Sequence, residues 1–273
     1  MVNGYAPETL QEALAIRRAE QVTPYGGGTD LMVEQHRMGP YLFLHRIVEL
    51  QNIVRDESYL RLGATCTFTR VGEHPLTPPI LKEAIGRIAA PAIRNLGTLG
   101  GNIGNGSAKA DSVLVHYALD AKLRLANADG DRIVAIQDFY KGRKALDLAP
   151  DELIMEILLP RAVPEHYVYH KVGARAALAI SRLSFVGLWT VEDGKIAACA
   201  TAFGAIDQTV IRCPEVDAIL IGTPVGEINS VKAQYLETYD QELNPIDGRI
   251  SARYRKTVCM NLLGDFVGKI GGV

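Results

Sequence analysis

Apolar positions along the chain recur at helical spacing in some stretches and at alternate residues in others, a mixture that predicts an α+β protein. Leu10, Ala13, Leu14 and Ile16 follow Pro7 and Thr9 at helical spacing and predict a first helix over 8–20. Residues 21–25 predict a short strand. Behind the glycine cluster that follows, Thr29 or Asp30 would cap a helix running through Leu31, Met32 and Val33 toward Met38. Strands are predicted at His45 to Leu50 and at Tyr59 to Ala64, where Leu60, Leu62 and Ala64 alternate with Arg61 and Gly63. Pro78-Pro79 opens a helix striped by Leu81, Ile85 and Ile88, and Asp111 and Ser112 open another through Val113, Leu114, Tyr117 and Ala118. Leu123-Arg124-Leu125 and Ile133-Val134 flank the Asp129-Gly130 turn as a hairpin.

The apolar run from Leu153 to Leu159 is stopped by Pro160 and followed by Pro164, and this Pro-flanked segment marks the candidate domain boundary. Beyond it, strands are predicted at Tyr167 to Val172, Leu183 to Val191 and Ile196 to Phe203, the last two joined by Asp193-Gly194. Helices follow at Glu215 to Leu220, at Glu227 to Tyr239 and from Ser251 onward, the last with Tyr254, Val258, Leu262 and Phe266 on one face.

Composition narrows the function classes. With 48% hydrophobic and 22% charged residues and a formal net charge of −2, the chain has no basic footprint for nucleic acid or an anionic membrane, and its 29 Lys and Arg are scattered. No apolar run approaches the roughly 18 residues of a membrane span, and the first residues lack a signal-peptide pattern, so a cytoplasmic location is expected. The four cysteines, Cys66, Cys199, Cys213 and Cys259, form no Cys-x-x-Cys pair and read as reduced, mostly buried thiols. The six histidines make no Ser-His-Asp or Cys-His signature. His166 and His170 have metal-ligand spacing only on a helix, and their segment reads as a strand, so no metal site is expected.

Two glycine clusters stand out. Arg94 to Ser107 holds five glycines and three asparagines in fourteen positions, and Gly26-Gly27-Gly28-Thr29-Asp30 lies upstream. Gly26 to Asp30 has neither the Gly-x-Gly-x-x-Gly spacing of a Rossmann turn nor the Lys-Ser/Thr of a P-loop, and a plain tight turn explains it in isolation. Each is predicted to end at a helix N-terminus, however, and together they suit an extended, phosphate-bearing ligand, with Asn102, Asn105 and Asp111 as side-chain partners. Lys171, at a strand-to-loop transition, reads as a surface lysine or as a cation facing such a ligand. No catalytic acid, base or nucleophile emerges, which suggests that the ligand carries the chemistry.

These residues resemble the flavin-binding medium subunits of the molybdenum hydroxylases, the family of xanthine dehydrogenase and carbon monoxide dehydrogenase. The resemblance spans nearly the whole chain. It is carried by Gly26 to Leu31, Leu62-Gly63-Ala64-Thr65, Ile93 to Ile103, Ala110-Asp111, Leu119-Asp120-Ala121, Pro150 to Ile154, His170-Lys171-Val172-Gly173 with Arg175, and Asp247 to Arg255. The resemblance implies a two-part FAD-binding domain of the vanillyl-alcohol oxidase/p-cresol methylhydroxylase type over 1–163, with lobes of about 1–56 and 57–163. A smaller C-terminal α/β domain is implied over 164–273. Tyr25, Gly26, Gly27, Gly28, Thr29, Asp30, Leu31, Thr98, Gly100, Gly101, Asn102, Asn105, Asp111, Ile154, Met155 and Lys171 match cofactor-binding positions for a non-covalent FAD.

The implied role is electron transfer within an oxidoreductase. A small subunit with two 2Fe–2S clusters would deliver electrons, a large molybdopterin subunit would oxidise the substrate, and NAD, oxygen or another acceptor would be reduced, in a dimer of heterotrimers. Gly97 and Leu99 stand where Ala and Ile are commoner, a conservative change. Lys109 stands where proline is frequent, at the rim of the implied pocket. The cysteine-bearing insertion of the 4-hydroxybenzoyl-CoA reductase branch is absent. An independent flavin oxidase would turn over without partners, and a nucleotide-binding assembly module would bind ligand without being reduced.

Overall fold

The computed structural model describes residues 4–33 and 39–272. They form two units, one of residues 1–107 and 120–161, the other of residues 108–119 and 162–273. The helix Asp111–Ala118 thus belongs with the C-terminal unit although it is flanked in sequence by the N-terminal one.

The N-terminal unit begins with a three-stranded parallel sheet in which Tyr41–Phe43 lies between Gly4–Tyr5 and Thr23–Tyr25. Helix Leu10–Ala19 precedes Thr23–Tyr25. Thr9 is extended at the N-cap and its hydroxyl accepts from the Glu12 N–H at 3.2 Å, while the Glu12 carboxylate accepts from the Glu8 N–H at 3.1 Å. The helix buries Ala13 and Leu14 against Leu42, Leu44, Ile47 and Leu50. The strand expected at His45 to Leu50 is not found. The chain pairs earlier, at Tyr41–Phe43, and Val48–Gln51 is a 3-10 turn that buries Leu50 and leaves Val48 exposed.

A second sheet of the same unit is antiparallel, in the order Ile53–Arg55, Tyr59–Gly63, Leu153–Pro160, Lys122–Asn127, Gly130–Ala135. The proline-flanked apolar run is therefore its central strand. It is buried along most of its length because neighbours pair on both edges and both faces are covered. Its register shifts between Ile154 and Glu156, a bulge that sends the Met155 side chain into the core with Leu42 and Leu153 while Ile154 lines a cleft.

The C-terminal unit is an antiparallel meander of His166–Val172, Leu183–Glu192 and Lys195–Gly204. Its central strand is buried from Leu183 to Trp189, since helix Asp111–Ala118 packs on the sheet as well as helix Ala252–Ile270. Phe266 meets Phe185 and Trp189 edge-on, with ring centroids 5.9 and 5.6 Å apart. Ser251 caps the last helix as expected, but its buried face is Arg255, Cys259, Leu263, Phe266, Val267 and Ile270. The predicted stripe was one position out of phase apart from Phe266, and Tyr254 is exposed. The helix carries apolar residues on two adjoining rows, so periodicity alone did not choose between them. His166 and His170 lie on a strand, where His166 stacks on Trp189 at 5.1 Å, so their spacing is not that of helical ligands.

Candidate functional site

Both glycine clusters sit in the N-terminal unit and line one cleft of about 300 Å³. The first follows strand Thr23–Tyr25. The helix predicted behind it is absent over the described residues: 29–33 are hydrogen-bonded turns, with the Met32 N–H donating to the Gly28 carbonyl at 3.0 Å. Residues 34–38 lie outside the described residues. Gly28 has φ +68°, a left-handed conformation that turns the chain beneath the Tyr25 hydroxyl, where a Cβ would collide with that ring. The Tyr25 ring packs on Phe43 at 4.9 Å between centroids.

The second cluster opens the short helix Leu99–Gly104, capped by Thr98, whose hydroxyl accepts from the Gly101 N–H at 3.1 Å. The N–H groups of Leu99 and Gly100 donate to the carbonyls of Cys66 and Ala64, at 3.1 and 2.8 Å, which ties this loop to the turn after strand Tyr59–Gly63. The two clusters touch through backbone. A Cβ on Gly27 would overlap the Leu96 carbonyl, and one on Gly26 would stand 2.5 Å from the Thr98 hydroxyl oxygen.

The donors are divided unequally. The second loop has spent its first N–H groups internally and presents Asn102 and Asn105 to the cleft, the latter accepting from Lys144. Among the described residues, no hydrogen bond engages the N–H groups of residues 26–31. Consecutive unspent amides, with no side chain at Gly26, Gly27 and Gly28, form a positively polarised surface suited to an anion such as a diphosphate. A built-in cation stands in the same cleft. Arg17 donates to the Val22 carbonyl, its buried Nε has no hydrogen-bond partner among the described residues, and burial lowers its pKa while Asp151 raises it. These features fit the diphosphate of a dinucleotide.

Arg17 was missed in sequence because it looks like an ordinary helix residue. The only signal was its place in the last turn before the strand that feeds the glycine loop. Glu152 was missed as well. It lines the cleft, is clasped by Arg132 at 2.7 and 2.9 Å, and that contact holds its carboxyl below the usual value.

Asp111 and Lys171 come together in the C-terminal unit, with Lys171 Nζ 2.7 Å from Asp111 Oδ2. The Ser181 hydroxyl donates to the other carboxylate oxygen at 2.6 Å. The side chains of Asp111 and Lys171 are only 6% and 11% exposed, so Lys171 is not a surface lysine. Ser181, the third member, had no signal in sequence. Of the matched positions, Gly26 to Leu31, Thr98, Gly100, Gly101, Asn102, Asn105 and Ile154 share the cleft. Tyr25 stands behind the first loop and Met155 lies in the core.

Comparisons with known proteins identify the family of the chain. A family model described as the FAD binding domain in molybdopterin dehydrogenase matches residues 1–162, and the CO dehydrogenase flavoprotein C-terminal domain matches residues 168–270. The xanthine dehydrogenase FAD-binding subunit of Escherichia coli O157:H7 is 30% identical over 255 residues, covering 89% of this chain and 85% of that protein. The nicotinate dehydrogenase FAD-subunit of Eubacterium barkeri is 28% identical over 269 residues, covering 92% and 90%. The crystal structure of quinoline 2-oxidoreductase from Pseudomonas putida 86 contains a chain with the same fold, at a TM-score of 0.89 and 23% identity, covering 100% of this chain and 97% of that one.

Proposed function

Because the chain belongs to the family of FAD-binding subunits of the molybdopterin dehydrogenases, we propose that it carries electrons from the 2Fe–2S clusters of a small partner subunit to an external acceptor. A large molybdopterin subunit would oxidise the substrate, in a dimer of heterotrimers. The observation that carries this reading is the row of N–H groups at residues 26–31 that no hydrogen bond engages among the described residues, held against the second glycine loop by the close approach of Gly27 to Leu96.

Gly26, Gly27, Gly28, Thr29, Asp30 and Leu31 would hold the diphosphate of a non-covalently bound FAD through their amides, with Tyr25 fixing the turn. Thr98, Gly100 and Gly101 form the opposing wall, and the side-chain amides of Asn102 and Asn105 are placed for hydroxyls or ring edges. Ile154 supplies apolar surface, and Met155 sets the bulge that directs it there. Asp111 and Lys171, which the family resemblance matches to cofactor-binding positions, pair within the C-terminal unit, where the buried carboxylate orients the ammonium. Bound FAD accepts and releases electrons. The polypeptide's own part is to bind it, orient it and exclude water. Among the described residues, no helix is long and apolar enough to cross a membrane, and no cluster of His, Cys, Asp and Glu could hold a metal ion.

Titration of the purified chain with FAD should give a one-to-one complex with quenched flavin fluorescence and no hydroxylase activity by itself. A chain that takes up no flavin overturns the binding role. Anaerobic mixing of the loaded chain with its reduced partners should bleach the flavin, and an unchanged flavin spectrum overturns the electron-transfer role.

A further inference from the structure

The core of the C-terminal unit encloses a polar cluster around Asp217. Asp217 ends the short helix Pro214–Asp217, Thr201 lies on strand Lys195–Gly204, and Tyr235 and Tyr239 lie on helix Ile228–Glu242. All four residues are at most 1% exposed. The Thr201 N–H donates to Asp217 Oδ2 at 2.8 Å, and the hydroxyls of Thr201, Tyr239 and Tyr235 donate to Oδ1 at 2.6, 2.9 and 3.2 Å. One carboxylate thus ties a sheet strand to two helices, inside an apolar core that includes Phe203, Val216 and Leu220.

The cluster is satisfied in either protonation state. When Asp217 is charged, its oxygens accept from all four donors. When it is neutral, a proton on Oδ1 faces the Thr201 hydroxyl oxygen at 2.6 Å. That hydroxyl lies 2.6 Å from the Tyr239 hydroxyl, which has the Cys213 carbonyl as an alternative acceptor at 3.5 Å. Turning the O–H bonds of Thr201 and Tyr239 therefore accommodates the neutral acid with no movement of heavy atoms. Burial decides between the two states, because it penalises the charged one and pushes the Asp217 pKa up to about 6 against the pull of its hydrogen bonds. The other ionisable groups around it leave that balance in place. Arg212, just before the short helix, favours the charged form. Cys199 on the strand and Cys213 at the helix start are thiols that burial pushes upward, so they stay neutral, and the charges of Glu215 and Glu242 raise Cys213 further. The 3-10 turn Ala218–Leu220 that follows Asp217 carries no ionisable group.

We propose that Asp217, Thr201 and Tyr239 form a proton-operated latch, which fastens helix Ile228–Glu242 to the sheet more firmly in mildly acidic than in neutral solution. The sign follows from the raised value. An unfolded chain releases its aspartate proton near about pH 4, whereas the folded chain keeps the Asp217 proton up to about 6. The stabilisation is therefore fully present below the lower value and is lost as pH rises through the upper one. His116 opposes this trend. Its imidazole is fully buried in the same unit, both ring nitrogens lack a hydrogen-bond partner among the described residues, and burial pushes its pKa down to about 4. The contribution of Asp217 is thus visible only as a difference from a variant that lacks its charge. The latch is independent of the flavin reading, because none of its residues is assigned to cofactor binding.

The full chain and its Asp217→Asn variant should be melted between about pH 5 and about pH 8, with unfolding followed through Trp189, the chain's single tryptophan, which lies in the same core. The wild-type melting temperature, taken relative to the variant at each pH, should rise by at least about 3 °C from the alkaline to the acid end. Tyr239→Phe removes a donor to the charged carboxylate, so against the Asp217→Asn/Tyr239→Phe double variant the midpoint of that rise should move to higher pH. A merely structural tyrosine would lower every melting temperature and leave the midpoint in place. Difference infrared spectra of the folded wild type should show the carbonyl band of a protonated carboxyl group growing in as pH falls through about 6, and Asp217→Asn should lack it. If Asp217→Asn fails to fold, the midpoint of that band in the wild type and in Tyr239→Phe carries the test. A melting difference that is flat or rises toward alkaline pH, a midpoint unmoved by Tyr239→Phe, or the absence of the carboxyl band overturns the inference.

Discussion

The glycine cleft of the N-terminal unit and the Asp111–Lys171–Ser181 cluster of the C-terminal unit are built on opposite plans. The cleft offers main-chain N–H groups, and its shape depends on the absence of side chains at Gly26, Gly27 and Gly28. The cluster offers charged and hydroxyl groups from a helix, a strand and a loop, locked by contacts of 2.7 and 2.6 Å. A site of the first kind should fail when atoms are added, and one of the second kind when charge is removed. Asp217 is a second buried carboxylate of the same C-terminal unit. It is 1% exposed, its carboxylate is met by the hydroxyls of Thr201, Tyr235 and Tyr239, and burial pushes its pKa up to about 6.

The largest effect is expected from Lys171→Met. It leaves the Asp111 carboxylate buried with Ser181 but without its cation, a change that typically costs about 3–5 kcal/mol. Chemical denaturation should register this loss, and the Lys171→Met/Asp111→Asn double variant should recover much of it, since neither charge is then stranded. A single variant as stable as the wild type would show that the pair is not a locked unit, and the contrast with the cleft would collapse.

Gly27→Ala should come next. One methyl group must displace the Leu96 carbonyl, and overpacking of this kind costs about 1–3 kcal/mol. The two loops would move apart, so flavin fluorescence titration should show FAD affinity weakened by about tenfold to a hundredfold, in line with a displacement of that energy. Affinity within a factor of two of wild type would mean that the apposition of the loops does not shape the binding surface.

This difference in plan also explains what could be read from the sequence. A backbone-built site is compressed into short runs, so Gly26 to Asp30 and Thr98 to Asn102 were legible as glycine clusters before any fold was known. So was the helix opened by Asp111, because its start is marked by local residues. A side-chain site is spread over the fold. The partnership of Asp111 with Lys171 and Ser181 joins positions 60 and 70 residues apart, and nothing in their local patterns announces it. Arg17 was hidden for the same reason. The errors in secondary structure have a related cause: at residues 41–51 and along the last helix, apolar residues satisfy more than one pattern, and tertiary burial selected among them. The helix expected behind Gly28 is absent over the described residues, where 29–33 form hydrogen-bonded turns.

The smallest effect is expected from Thr98→Ala, and it separates the two functions of the second loop. The Thr98 hydroxyl caps Gly101, and loss of an N-cap costs about 1 kcal/mol. It is also the group nearest to the missing Cβ of Gly26, so its removal leaves space rather than a clash. If the second loop is a wall whose position is set by the Leu99 and Gly100 bonds to the turn below, Thr98→Ala should lower the melting midpoint slightly and weaken FAD binding by no more than about threefold. Thr98→Ser, which restores the oxygen without the methyl, should recover the midpoint. If FAD binding instead fell as far as in Gly27→Ala, the hydroxyl would have to act on the ligand directly, and the cleft would be a mixed site in which a side chain matters as much as the backbone amides.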